Sequence, residues 1–158
     1  MSDTPAALVT QLVESCPLDE LETQRIVAAA LEYGGRADLY VGVVLAADEL
    51  MVELHGEFLD DPTPTDVITF DLGEPGFPTE GALVVAAELY VGVEEAQRVA
   101  TERGVSWGRE LALYVVHGVL HLCGFDDHTE EDSTAMRGAE RDVMDALGYP
   151  PDELPHHM

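Results

Sequence analysis

The stretch WGRELALYVVHGVLHLCGFDDH, residues 107–128, carries two imidazoles into an otherwise apolar run. Trp107 to Cys123 reads as a helix, and Gly124 stops it, because glycine takes the left-handed conformation that ends a helix and turns the chain back. His117 and His121 are four residues apart. On a helix that spacing puts both rings on one face, a turn apart, where they can grip one ion. Asp126, Asp127 and His128 follow at once, so the reversed chain can swing a third ligand toward the pair. Three protein ligands and one open position make the arrangement of a catalytic zinc site. Hydrogen-bonded core histidines could show the same spacing, but the glycine and the Asp-Asp-His cluster behind the pair favour the metal. Gly118 leaves room beside the first ligand. It also stands where the signature His-Glu-x-x-His of zinc proteases places its general base, which disfavours a peptidase.

Outward from this helix, the rest of the chain reads as a mixed α/β arrangement. Residues 5–15 are ambiguous between strand and helix. Pro17 to Tyr33 carries Leu21, Ile26, Val27, Ala30 and Leu31 at helical spacing, and Gly34 and Gly35 end it. Asp38–Ala46 and Thr65–Leu72 read as strands, with a helix over Ala47–Leu59 and a turn at Asp60–Pro64. A Gly/Pro loop over 73–80 leads to a third apolar strand, Gly81–Ala87, and a helix over Glu88–Arg103. A last helix runs from about Glu130 to Leu147 before Gly148 and Pro150. The expected fold is a single α/β (α+β) domain, residues 1–150: a small mixed sheet of about four strands covered by about five helices. The metal site sits on a central helix and its following loop, and residues 151–158 form a loose tail.

Length and composition bound the function. The 158 residues suit one domain with a real core, and 46% are hydrophobic. No apolar run is long enough to span a membrane, and the N-terminus lacks the basic start of a secretory signal, so a cytoplasmic location is expected. Cys16 and Cys123 lie far apart and read as reduced, structural thiols. Seven Arg, no Lys and 32 acidic residues give a net charge of −25. That charge repels anionic membranes and bulk nucleic acid and reads first as a solubilising surface. No glycine-rich phosphate loop is present, so no nucleotide cofactor is expected.

The stretch His117-Gly118-Val119-Leu120-His121-Leu122-Cys123-Gly124-Phe125-Asp126 resembles the zinc motif His-Gly-x-Leu-His-Leu-x-Gly-Tyr-Asp-His of the YbeY family of bacterial endoribonucleases. Pro64-Thr65-Asp66-Val67-Ile68-Thr69-Phe70 resembles that family's Pro-Thr-Asp-Val-Leu-Ser-Phe strand, and Leu147-Gly148-Tyr149 its C-terminal end. The likeness covers residues 38–149. It implies a zinc-dependent, single-strand-specific endoribonuclease with one Zn2+ per chain. The implied role is ribosomal RNA processing at the 3′ end of the small-subunit RNA, with the small ribosomal subunit as partner.

Under that resemblance, His117 and His121 act through the metal, and no separate general base is identified. Aligned without a gap, the family's third histidine falls on Asp127, with His128 one residue further; either can be the third ligand. Asp66, at the start of its strand, and Glu110, seven residues before His117, are candidates for orienting the ligands. The family's arginine before the Thr-Asp-Val strand is replaced by Leu59, and its upstream asparagine by His55, which weakens phosphate binding. Arg103 and Arg109 read as surface ion-pair partners, and Cys123 as packing. The alternative from another class is a zinc-stabilised, ribosome-associated assembly factor with little nuclease activity.

Overall fold

The apolar runs of the chain become four strands and five helices among the residues described, which are 7–59, 67–71, 85–126 and 128–149 of a computed structural model. In chain order these are β1 (Ala7–Gln11), α1 (Glu20–Tyr33), β2 (Val41–Ala46), α2 (Asp48–Leu59), β3 (Val67–Asp71), β4 (Ala87–Gly92), α3 (Val93–Arg103), α4 (Trp107–Leu122) and α5 (Glu130–Leu147). The mixed α/β fold, with its small sheet and covering helices, matches the expectation.

The sheet order is β1-β2-β4-β3. β1, β2 and β4 are parallel; β3 runs antiparallel along β4, with Val67 opposite Val91 and Asp71 opposite Ala87. β2 is buried along its whole length, which is why its sequence VGVVLA is a continuous apolar run rather than an alternation. Successive side chains of a strand point to opposite faces. Val41, Val43 and Leu45 therefore join the main core with Leu89, Val91, Val115 and Val119. Val44 and Ala46 join a smaller cluster with Met51 of α2 and Ile68 of β3.

α4 is the central helix, packed against α1, α3 and α5 and against β3 and β4. Its approach to the sheet is set by one residue. A Cβ on Gly118 would lie 2.6 Å from Leu89 Cδ2 and 3.0 Å from Val67 Cγ2, well inside ordinary carbon–carbon contact. The room made by this glycine is thus filled by the sheet. Gly34 has a similar reason: its absent Cβ would fall 2.4 Å from Cys123 Sγ, so the end of α1 closes directly on the end of α4. None of the described helices is long and apolar enough to cross a membrane.

Several boundaries differ from the sequence expectation. The ambiguous N-terminal segment is a strand, β1. The first helix starts at Glu20 rather than Pro17, because Asp19 caps it: Asp19 Oδ1 accepts the Glu22 amide at 2.7 Å. The strand expected from Asp38 starts at Val41. Residues 88–92, expected at the head of a helix, belong to β4; the helix begins at Val93. Pairing to β2 on one side and β3 on the other overrides the local pattern there, as β context often does. The turn at 60–64, the loop at 73–80, the start of the Gly81–Ala87 strand, Asp66, Asp127 and the tail 151–158 lie outside the described residues.

Candidate metal centre

α4 is capped by Ser106, whose Oγ accepts the Arg109 amide at 3.1 Å. It ends in a tight reversal. The Gly124 amide bonds to His121 O and the Phe125 amide to Leu120 O, each at 3.1 Å, with Gly124 at φ +106°. Only glycine adopts that backbone without strain, so the left-handed role expected for Gly124 is the one it has.

Most of α4 is buried, from Leu111 and Ala112 through Tyr114–Val116 to Gly118–Leu120. The line it leaves less buried is Leu113, His117 and His121, each four residues from the last. The two histidines thus share the exposed stripe of the helix: His117 keeps 30% of its side chain exposed, and His121 is exposed. A pair of satisfied core histidines would be buried; this pair opens toward solvent, one turn apart.

His117 is oriented from another helix. Its Nδ1 lies 2.6 Å from Oε2 of Glu140 on α5, a carboxylate only 15% exposed. Glu140 lay outside the sequence-based site. The signal that could have found it is an acid placed one turn beyond Met136 in the stripe where α5 buries Met136, Ala139, Val143 and Leu147. Charges are rare in such stripes unless paired.

Glu110, the other candidate acid, is paired with two arginines. It is 2% exposed, with Oε1 3.4 Å from Arg103 Nη1 and 3.8 Å from Arg109 Nη1. It ties α4 to α3, and the carboxylate at His117 Nδ1 is Glu140. Arg109, expected at the surface, is itself only 6% exposed, and burial holds its guanidinium below the usual arginine range, while Glu110 opposes that shift. His128 is 79% exposed, with Nε2 3.3 Å from Asp126 Oδ1. His55 sits half-buried in α2, and Leu59 is the last residue of that helix. Cys123 packs against the core as a free thiol, which burial pushes up from its ordinary pKa.

Among the described residues, no group of three or more His, Cys, Asp or Glu side chains converges as a metal cage. The donor set at His117 and His121 nonetheless fits a borderline-soft ion such as zinc. Two imidazoles lie on one open helix stripe, and one is backed by a carboxylate, the usual support of a metal-binding histidine.

Comparison with known proteins shows the family of the chain. Residues 11–148 match the family model of endoribonuclease YbeY. The chain is 34% identical to the endoribonuclease YbeY of Desulforamulus reducens, over 90% of this chain and 97% of that one. It is 33% identical to that of Carboxydothermus hydrogenoformans, over 89% and 96%. A Thermotoga maritima protein solved in solution shares the fold, with a TM-score of 0.57 and 23% identity over 94% of this chain and 97% of that one.

Proposed function

As the chain belongs to the YbeY endoribonuclease family, a hydrolase acting on RNA phosphodiester bonds, we propose that its site is a zinc centre held by His117 and His121. The third ligand is Asp127, or His128 in its place. The substrate is single-stranded ribosomal RNA near the 3′ end of the small-subunit RNA, processed in the cytoplasm in association with the small ribosomal subunit. Residues 1–150 act as one unit, with 151–158 as a tail. Asp66 is retained as a further candidate for orienting the site.

The observation that carries this reading is the exposed His117/His121 stripe, one turn apart on a helix pinned to the sheet through Gly118. His117 and His121 supply nitrogen donors, and Glu140 holds the His117 ring. A bound zinc ion supplies Lewis acidity toward phosphodiester cleavage. Three protein ligands leave a coordination position for substrate or water.

The test is metal content by elemental mass spectrometry, paired with cleavage of single-stranded RNA. The expectation is about one zinc per chain, lost in His117→Ala and in only one of Asp127→Ala and His128→Ala. Cleavage falls with chelation. Cleavage that survives both chelation and His117→Ala would overturn the reading. The second reading, a zinc-stabilised assembly factor, is favoured by the net charge of −25 and by Arg25, Arg36, Arg98 and Arg103 all being engaged by carboxylates. Ribosome association without cleavage in zinc-replete protein would select it.

A further inference from the structure

A helix that faces a core does not tolerate an acid without a partner. Glu140 sits on the inward side of α5 among buried Met136, Ala139, Val143 and Met144, with 15% of its side chain exposed. Desolvating a carboxylate there is costly unless it is hydrogen-bonded. Its recorded partner is His117 Nδ1, at 2.6 Å. The pair therefore serves one of two ends: a structural ion pair between α4 and α5, or the orientation of a ring that works elsewhere.

The chemistry of the two groups separates these ends. An ionised carboxylate only accepts hydrogen bonds. A ring nitrogen that donates to such a carboxylate carries the proton, and the 2.6 Å contact puts Nδ1 in that place. In a neutral imidazole the lone pair then resides on Nε2, and a metal binds through that nitrogen. In a purely structural ion pair the ring is an imidazolium, with protons on both nitrogens and no lone pair left for a metal.

We propose that Glu140 is the positioning residue of the site: it holds the Nδ1–H tautomer of His117 and so presents Nε2 as the ligand atom. This rests on the zinc reading above. The C-terminal end of α5 and the residue beyond it are tied to α1. Tyr33 of α1 donates to Asp142 Oδ2 at 2.8 Å, Arg25 donates to Leu147 O at 3.1 Å, and Tyr149 donates to Glu22 Oε2 at 2.5 Å. Glu140 stands just ahead of these anchors. A rigid support is what a ligand needs to hold its angle.

The experiment uses full-length, metal-free protein labelled with nitrogen-15 at histidine, with His117 assigned by its loss in His117→Ala. Long-range proton–nitrogen correlation at slightly alkaline pH reads the tautomer, and competition with a chromophoric chelator reads zinc affinity. Wild type shows Nδ1–H at His117. Glu140→Ala loses that preference and binds zinc about 10–100-fold more weakly. Glu140→Gln, whose amide oxygen still accepts from Nδ1–H, keeps the tautomer and most of the affinity. If Glu140→Ala does not fold, loss of the tautomer in Glu140→Gln overturns the proposal and its retention supports it. An imidazolium or an Nε2–H tautomer in wild type overturns it, as does unchanged zinc affinity in folded Glu140→Ala. If wild type takes up no zinc, the zinc reading fails and the ligand role of Nε2 fails with it. The spectrum of the same sample then still decides whether Glu140 orients the ring.

Discussion

Two alanine substitutions, one on each helix of the α4–α5 pair, separate packing from helix propensity. Glycine in a helix interior costs about 1 kcal/mol relative to alanine. Taken alone, Gly118→Ala and Gly138→Ala should therefore both stabilise. At Gly138 a Cβ meets nothing within 4 Å, so the full gain of about 0.5–1 kcal/mol is expected. At Gly118 the new methyl lies 2.6 Å from Leu89 Cδ2, 3.2 Å from Leu89 Cγ and 3.0 Å from Val67 Cγ2. Comfortable contact is about 3.5–4.0 Å, so Leu89 or the helix must give by roughly 1 Å. Leu89 is fully buried in the centre of the sheet, with no open direction to turn into. Overpacking of this kind costs about 1–3 kcal/mol. Subtracting the propensity gain leaves Gly118→Ala less stable than wild type by about 1 kcal/mol. With a urea slope of about 1–3 kcal/mol per molar, the unfolding midpoint falls by roughly 0.5 M for Gly118→Ala and rises by a similar or smaller amount for Gly138→Ala, at unchanged slope. Equal stabilisation by both substitutions would refute the claim that Gly118 sets how closely α4 lies on the sheet.

Glu110→Ala removes one member of a buried pair and leaves Arg109, 6% exposed, without it. A loss of about 3 kcal/mol or more is expected in urea unfolding, and a loss below about 1 kcal/mol would count against the buried-pair reading. Alkali should weaken the fold. Burial raises the Cys16 and Cys123 thiols, and burial followed by the Glu22 carboxylate raises the Tyr149 hydroxyl. All three are favoured protonated in the folded state, so the unfolded chain ionises first. Their contribution is complete below about pH 9, the ordinary thiol value, and is lost as pH rises above it; a urea midpoint rising between pH 9 and 10.5 would contradict this. For single-stranded RNA, log affinity against log salt should be shallow, with a slope no steeper than about −1.5. The reason is that Arg25, Arg36, Arg98 and Arg103 are held by carboxylates. A filter-binding slope beyond about −3 would show a phosphate-binding surface that these ion pairs do not leave available.

What the sequence made legible is what depends on neighbours along the chain. The four-residue spacing of His117 and His121 is a property of one helix, and so is the positive φ of Gly124 that ends it. Both follow from helical period and steric freedom, and both are where the sequence put them. The two-faced burial of β2 shows as an unbroken apolar run for the same reason. The errors fall where distant pairing decides. ELYVG at 88–92 carries no strong local preference, and only the flanking strands β2 and β3 make it a strand. Gly118 reads locally as space beside a ligand. Its actual neighbours, Leu89 and Val67, come from the sheet, and no local pattern names them.

Glu140 is the sharpest case of this division. It lies 23 residues from His117, and nothing in that separation marks the pair. The link exists because the chain reverses at Gly124, restarts at the Thr129 cap, whose side chain accepts the Asp132 amide, and runs α5 back along α4. Glu140, in the stripe that α5 turns inward, thus meets His117 on the exposed stripe of α4. The ligands of such a site can therefore be proposed from one helix. The carboxylate proposed to select the binding nitrogen of His117 belongs to the next helix, and it is found only once the fold has paired them.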